Sequence, residues 1–514
     1  MSEIRWSATT LLLALTTTST AGAQVSVVDI QRLTGSDSAE GDNFGGSVAL
    51  DGDTLLVGAI GHDAAGNNAG AVYVFELAGG AFDETQKLLP SWGPFGGYGL
   101  SVALHGDRAA VGSTSDLADT WMRNGADFQL DLFLPTPDCP DEQTYEAYSS
   151  SSSMSSTVLA FGAPVSADYG GAYIFGLVEG AWTFQGCPSY IFFQPWPTDF
   201  GASVAATEEH VALTSSSGVH VYRRQGTGWP FQELLPSGGR VALDGHTLVS
   251  GDRVYVYDGT SWMLEDTLIP SRGTPDGFPW LPVIDGERIA VGVPLDDTLG
   301  VNTGSVLLFE RQGTSWSQVA TLVSSAPQAN EFFGASVSIR GDLIAVGASG
   351  ATQQARGFVE VFRVVSSPGF CDAGDGSLAS CPCGPGSPDT GCDLASATGG
   401  VRLDVAAQET APLNRLTLEG HGLAQMGAPA VLAIRSAVLE PQAVVFGDGL
   451  RCLGLPVVRL KAAFASGGSV SIPVMHGPMS GAGTFGYQLW FRDLPAMFCT
   501  PAGFNLSSGR QLTW

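Results

Sequence analysis

Phe44-Gly45-Gly46-Ser47-Val48-Ala49-Leu50, Asp51-Gly52-Asp53, Leu55-Leu56-Val57-Gly58-Ala59, then after a loop Gly70-Ala71-Val72-Tyr73-Val74-Phe75 and Gln86-Lys87-Leu88-Leu89-Pro90: versions of this stretch return seven times between about residues 42 and 363. A repeat at such a period signals a solenoid or a propeller. Each copy holds four short β-branched or alternating runs, broken by Gly, Asp and Pro, as strands and tight turns require. The glycine closing the second run recurs at Gly58, Gly112, Gly162, Gly292 and Gly347, with Thr214 and Ser250 in its place in two degenerate copies. The third run recurs at, for example, Gly171-Ala172-Tyr173-Ile174-Phe175 and Gly304-Ser305-Val306-Leu307-Leu308-Phe309, and is blurred in the second copy.

The ends of the array decide between the two architectures. The last copy stops at Phe362-Arg363 without a fourth run, and a spare fourth-run pattern, Gln31-Arg32-Leu33, precedes the first copy. An N-terminal strand that completes the last blade accounts for both. Closure leaves only short, protected edges, whereas an open solenoid needs capping repeats. The expected fold is all-β: a seven-bladed β-propeller, followed by a second β domain.

The Phe44-Gly45 start, the Gly162-Ala163-Pro164 segment and the third run resemble the FG-GAP repeat, the blade unit of the integrin α-chain head; other Phe-Gly starts stand at Phe95-Gly96, Phe200-Gly201 and Phe333-Gly334. The resemblance covers roughly two thirds of the chain. It implies a propeller used in adhesion or ligand binding, and on occasion in hydrolysis.

Asp and Glu outnumber Lys and Arg by 50 to 23, a net charge of −27. Such a surface repels phosphate backbones and anionic lipid, which argues against a nucleic-acid partner. Arg5, the apolar Leu11-Leu12-Leu13-Ala14-Leu15 and the small Ala21-Gly22-Ala23 read as a secretory signal over residues 1–23. No later stretch has the length of a membrane span, so the expected localisation is secreted or cell-surface associated. Eight cysteines in an exported chain read as disulfides. Cys371, Cys381, Cys383 and Cys392 crowd just after the propeller, Cys452 and Cys499 lie far downstream, and Cys139 and Cys187 follow fourth runs of adjacent copies. The expected domains are a propeller over 24–366, a Cys-rich linker over 367–399 and a β-sandwich over 400–514. The last carries alternating runs such as Ala430-Val431-Leu432-Ala433-Ile434 and Tyr487-Gln488-Leu489-Trp490-Phe491. It resembles the Cys-rich β modules that end many exported bacterial proteins, which implies sorting or surface association.

Several motifs invite chemistry. Arg340-Gly341-Asp342 spells an adhesion tripeptide but aligns with Asp51-Gly52-Asp53 and Asp285-Gly286-Glu287, a series that reads as hairpin turns. Gly45-Gly46-Ser47-Val48-Ala49, Gly99-Leu100-Ser101-Val102-Ala103 and Gly201-Ala202-Ser203-Val204-Ala205 resemble hydrolase serine surroundings. A nucleophile is needed once, with a base; a serine that repeats with the blades reads as scaffold, bonded to backbone. Residues 58–71 and 292–305 align without gaps, setting His62-Asp63 opposite Asp296-Asp297 and Asn68 opposite Asn302. Asp296, Asp297, Asn302, Asp63 and Asn68 are oxygen donors of the kind calcium takes, and calcium is the one cofactor they suggest; the competing reading is a network of Asx turns.

The expected function is an exported, non-enzymatic binding or adhesion protein that takes an extracellular protein or glycan on its propeller-face loops. The alternatives are a propeller hydrolase and a lectin whose exposed Trp92, Trp121, Trp196 and Trp229 stack sugars.

Overall fold

The computed structural model describes residues 24–93, 96–115, 117–137, 149–164, 170–188, 198–236, 239–271, 280–350, 356–367 and 369–370, and the strands of the C-terminal part between 402 and 513. The chain divides into two compact units with a boundary between Val365 and Ser366.

The first unit is seven four-stranded sheets, one per repeat. Blade one is Phe44–Asp51, Thr54–Ala59, Ala71–Ala78 and Ala81–Leu88, antiparallel in chain order. The first strands of blades two to seven are Ser101–His105, Ser151–Met154, Val204–Ala206, Val241–Asp244, Leu281–Asp285 and Ser336–Arg340. Each packs against the first strand of the next blade, and Ser336–Arg340 packs against Phe44–Asp51, so the ring closes. Blade seven takes its fourth strand from the N-terminus: Gln24–Leu33 pairs with Phe358–Ser367. The sheets form a β-propeller, as the spare N-terminal run predicts.

Each strand's composition follows its place in the ring. First strands line the axis and are rich in Ser, Ala and Val. Second and third strands are buried on both faces and read as continuous apolar runs: Leu55, Leu56, Val57, Val72, Tyr73 and Val74 are all buried. The apolar cores lie between neighbouring blades. Leu159, Phe161, Tyr173 and Phe175 of blade three pack on Ala103, Ala110 and Leu134 of blade two, and a buried aromatic of this kind is worth ~2–3 kcal/mol. In six blades the third and fourth strands slip register just before an aromatic: Phe75, Trp121, Phe175, Tyr222, Tyr255 and Phe309. This is a bulge, which twists the outer strand of the blade.

Two sequence alignments are corrected by register. Tyr98 bridges Gly70 as Phe333 bridges Gly304, so the start of blade two is Tyr98-Gly99, not Phe95-Gly96. Val241 pairs with Ser250 as Val48 pairs with Val57. The partner of Gly58 in blade five is therefore Gly251, not Ser250.

The described residues of the second unit are also almost all in strands. Its larger sheet contains Ala430–Ser436, Val458–Phe464, Thr484–Phe491 and Gly509–Thr513. A three-stranded sheet holds Arg402–Ala407, Arg415–His421 and Ser469–Met475. Val431, Leu489 and Ile472 are buried.

Candidate functional site

The first strands of all seven blades line an axial channel of ≈ 700 Å³. Its two rims are stitched by different bonds.

At the rim where first strands begin, the repeated serine crosses to the next blade. Ser47 Oγ donates to the Gly99 carbonyl at 2.7 Å, Ser101 to Ser149 at 2.7 Å, Ser151 to Gly201 at 3.3 Å, and Ser336 to Gly45 at 2.7 Å. Ser203 Oγ accepts from the Val241 N–H at 3.2 Å. The accepting residues have left-handed backbones, with φ of +85° at Gly45, +87° at Gly99, 68° at Ser149 and +90° at Gly201. That conformation turns the carbonyl across the seam and favours glycine. The same carbonyls press on the glycine closing the second strand: a Cβ at Gly58, Gly112, Gly162 or Gly347 would stand 2.1–2.2 Å from one. One carbonyl thus fixes an aromatic-Gly start, a serine and a second glycine. The serine of the hydrolase-like pattern is a strap, as its repetition suggests.

At the opposite rim the turn aspartates do the stitching. Asp51 accepts from the Gly106 N–H, Asp244 from Gly286 and Asp285 from Gly341, each at 2.6 Å. Arg340 bridges Asp51 at 2.7 Å and Asp285 at 3.1 Å, and Asp342 pairs with Arg363 at 3.2 Å. Arg340-Gly341-Asp342 is a hairpin turn whose two charges are both committed within the ring.

The aligned loops 58–71 and 292–305 stand at the strap rim. Asp63 Oδ1 accepts from the Asn68 N–H at 2.8 Å, and Asp297 Oδ1 from the Asn302 N–H at 2.6 Å. Asn68 and Asn302 both have φ of 50°. Buried Asp296 accepts from the Thr298 N–H and hydroxyl and from Ser305 Oγ. Asn302 reaches Asn330 at 2.8 Å. In this geometry the carboxylates are turned inward onto their own loop, so the donor set does not fit a preformed calcium cage. No group of three His, Cys, Asp or Glu side chains that could hold a metal occurs among the described residues.

Two charged clusters have no counterpart in the sequence reading. Asp37 gathers Tyr73 Oη at 2.8 Å, His62 Nε2 at 3.2 Å and the Lys87 ammonium, tying residues before blade one onto its loop. The Lys87 hydrogen bond is the main cause that holds the Asp37 carboxyl well below its usual range, while burial raises Tyr73. In blade two, Asp119 is fully buried and accepts from Ser91 N and Oγ, next to Tyr98, whose hydroxyl receives Trp121 Nε1 at 2.7 Å. Burial pushes Asp119 from 3.8 up to about 6, against the pull of these donors. A carboxyl raised on folding contributes stability below its unfolded pKa and loses it as pH rises through the folded one. The stability of wild type relative to Asp119→Asn should therefore fall by about 2 kcal/mol between about pH 4 and 7. Urea unfolding at four pH values checks this; parallel curves for the two proteins would refute it.

The remaining candidates fall as follows. Trp229 is 9% exposed, Trp92 and Trp121 are partly buried in the core shared by blades one and two, and Trp196 lies outside the described residues. Cys187 is disulfide-bonded. Cys139, Cys371, Cys381, Cys383, Cys392 and Cys499 lie outside the described residues, as do residues 1–23, and Cys452 sits in a strand described by its backbone alone. No helix among the described residues is long and apolar enough to cross a membrane.

The aromatic-Gly start, the strap serine and the second-strand glycine had their spacing in the sequence, but their partners lie on the next blade, about fifty residues away in most seams. The comparisons with known proteins bear on this same unit. No curated protein matches the chain. The FG-GAP repeat matches at residues 27–75 and 316–362, the first running from the N-terminal strand to the third strand of blade one, the second ending in the third strand of blade seven. These two stretches, at the two ends of the propeller sequence, match the FG-GAP repeat.

Proposed function

We propose that the chain is an exported, non-enzymatic binding protein that takes an extracellular protein or glycan on the loops of its strap rim, while the C-terminal unit sorts it or associates it with a surface. The observation that carries this reading is the commitment of the repeat's serines and turn aspartates to the seams. Those side chains are spent on holding blades together, and what varies between blades is the loop between second and third strands. In loop 292–305 the apolar Leu299 and Val301 are 52% and 59% exposed beside Asp297. Exposed apolar side chains next to a carboxylate suit a protein partner. FG-GAP repeats are typical of extracellular proteins, which supports export.

In this proposal calcium binds weakly if it is offered, at about 10⁻⁴–10⁻³ M, because the ion must take Asp296 and Asp297 from their loop donors. A glycan and matrix-protein array probed with the mature chain, with and without calcium, tests the reading. The paired changes Leu299→Asp and Val301→Asp should weaken the best ligand at least about tenfold. Calorimetry of calcium on wild type and Asp297→Ala should show the heat vanish in the variant. Ligand binding untouched by the loop changes, or a tight calcium site that survives Asp297→Ala, would sink it.

A further inference from the structure

The seam at blade five is different. By register, the strap position held by Ser47, Ser101, Ser151, Ser203 and Ser336 is occupied there by Arg240 and in blade six by Leu281. Arg240 lines the channel and is exposed to it. Its carbonyl accepts from the Gly251 N–H, but its guanidinium has no hydrogen bond and no ion pair among the described residues, whereas Arg108, Arg123, Arg223, Arg288, Arg311 and Arg340 each reach a carboxylate and Arg224 and Arg253 each reach a carbonyl oxygen. In a chain with 50 acidic residues against 23 basic ones, this guanidinium stands in the channel with no carboxylate on it. The protein around it removes enough water to push its guanidinium pKa down. Nothing on the channel wall offsets that cost.

Among the lining residues the only other arginine is Arg340, already held by Asp51 and Asp285. The nearest strand-mate acid, Asp244, stands four residues on, about 13 Å away along the strand, and is bound to Gly286. The strap end of the channel therefore presents one unneutralised guanidinium on a wall that mixes the strap serines with Val48, Leu100, Leu281 and Ala335.

We infer that the strap end of the axial channel is a binding site for a small monocarboxylate, whose carboxylate pairs with Arg240 and whose uncharged body lies along the channel wall. A planar guanidinium fork matches a carboxylate in two parallel hydrogen bonds. A single positive charge balances a monoanion; a dianion such as phosphate would carry surplus charge into a chain already strongly negative. The channel volume falls within the ≈ 300–1,000 Å³ typical of small-molecule sites. This inference is independent of the loop-face reading, since it needs neither calcium nor a macromolecular partner.

The test uses the full mature chain, titrated by calorimetry with hexanoate and glucuronate. Hexanamide and glucose serve as their uncharged counterparts, and inorganic phosphate as the other anion. At least one carboxylate should bind, with its uncharged counterpart and phosphate at least about tenfold weaker. Arg240→Ser places at this position the residue that five blades already carry, so the fold should be kept, with an unchanged or raised melting temperature and carboxylate affinity reduced at least about tenfold. Arg240→Gln checks the same loss without restoring a strap. Silence from both carboxylates at millimolar concentration would overturn the inference. So would phosphate binding as tightly as the carboxylates, or carboxylate binding equal in wild type and both variants.

Discussion

Deletion of residues 25–33 is expected to yield aggregated protein, or a melting temperature lowered by more than about 10 °C. The deletion removes the fourth strand of blade seven and leaves Phe358–Ser367 as an open edge, which is a template for pairing with other chains. It also removes Ile30 and Leu33 from the core shared by blades seven and one. The third loss is electrostatic. Glu360 is fully buried, and Arg32 Nη1 stands 3.6 Å from it while the guanidinium stacks 3.5 Å over Phe358. Without Arg32 the carboxylate keeps only the Ser325 N–H and hydroxyl. Stripping one partner from a buried pair costs ~3–5 kcal/mol. Arg32→Ala alone should therefore reproduce part of the effect in a chain of full length. Light scattering and a melting curve decide: a monomeric deletion variant that melts with wild type would show that the ring closes some other way.

Gly162→Ala is expected to be costly for a single methyl, at roughly 3 kcal/mol or more. The new Cβ would stand 2.1 Å from the Gly201 carbonyl oxygen and 2.3 Å from Ser151 Oγ, so it meets both the neighbouring blade and the strap. Neither is the free end of a flexible side chain. Gly52→Ala is the matched control. Gly52 sits in the blade-one turn with φ of +58° and nothing within 4 Å, so its alanine carries only left-handed backbone strain, roughly 1–2 kcal/mol. Urea denaturation of the two variants separates contact from conformation. Equal losses, or a milder effect at Gly162, would mean that the seam carbonyl can move aside.

The ring was legible because its evidence is local or countable. Gln31-Arg32-Leu33 without a copy to belong to, and Phe362-Arg363 without a fourth strand after it, imply each other by number alone. The turns were legible because Gly52, Gly245 and Gly341 stand at one place in each unit. What the sequence concealed were destinations. Ser47 was readable as scaffold, but its acceptor on Gly99 is set by the approach of two blades. Tyr98-Gly99 was passed over for Phe95-Gly96, although the aromatic-Gly-x-Ser spacing of Phe44-Gly45-Gly46-Ser47 recurs at Tyr98-Gly99-Leu100-Ser101 and would have found it. Asp37, His62, Tyr73 and Lys87 meet from four separate segments, and no spacing rule connects them. The loop carboxylates Asp63 and Asp297 could be located from sequence, but not the direction in which they turn. Whether an Asp turns outward to a cation or inward to its own loop depends on the backbone at Asn68 and Asn302, which a donor count does not contain.

Because one sheet is assembled from both extremities of the propeller, the order of synthesis has a bearing on its folding. Gln24–Leu33 is made before every complete blade, yet its partner Phe358–Ser367 is the last strand of the propeller to be made. Blades one to six can form in turn from nearby strands, while the earliest strand waits. Pairings between distant segments are slow, since the loss of chain entropy precedes any contact. The final docking step then acts as a timer on maturation, and during that interval the nascent ring is most open to proteases and to strands of other chains. In the finished protein the same sheet is where reopening would begin, so hydrogen exchange should be fastest along it and slowest in the blades diametrically across.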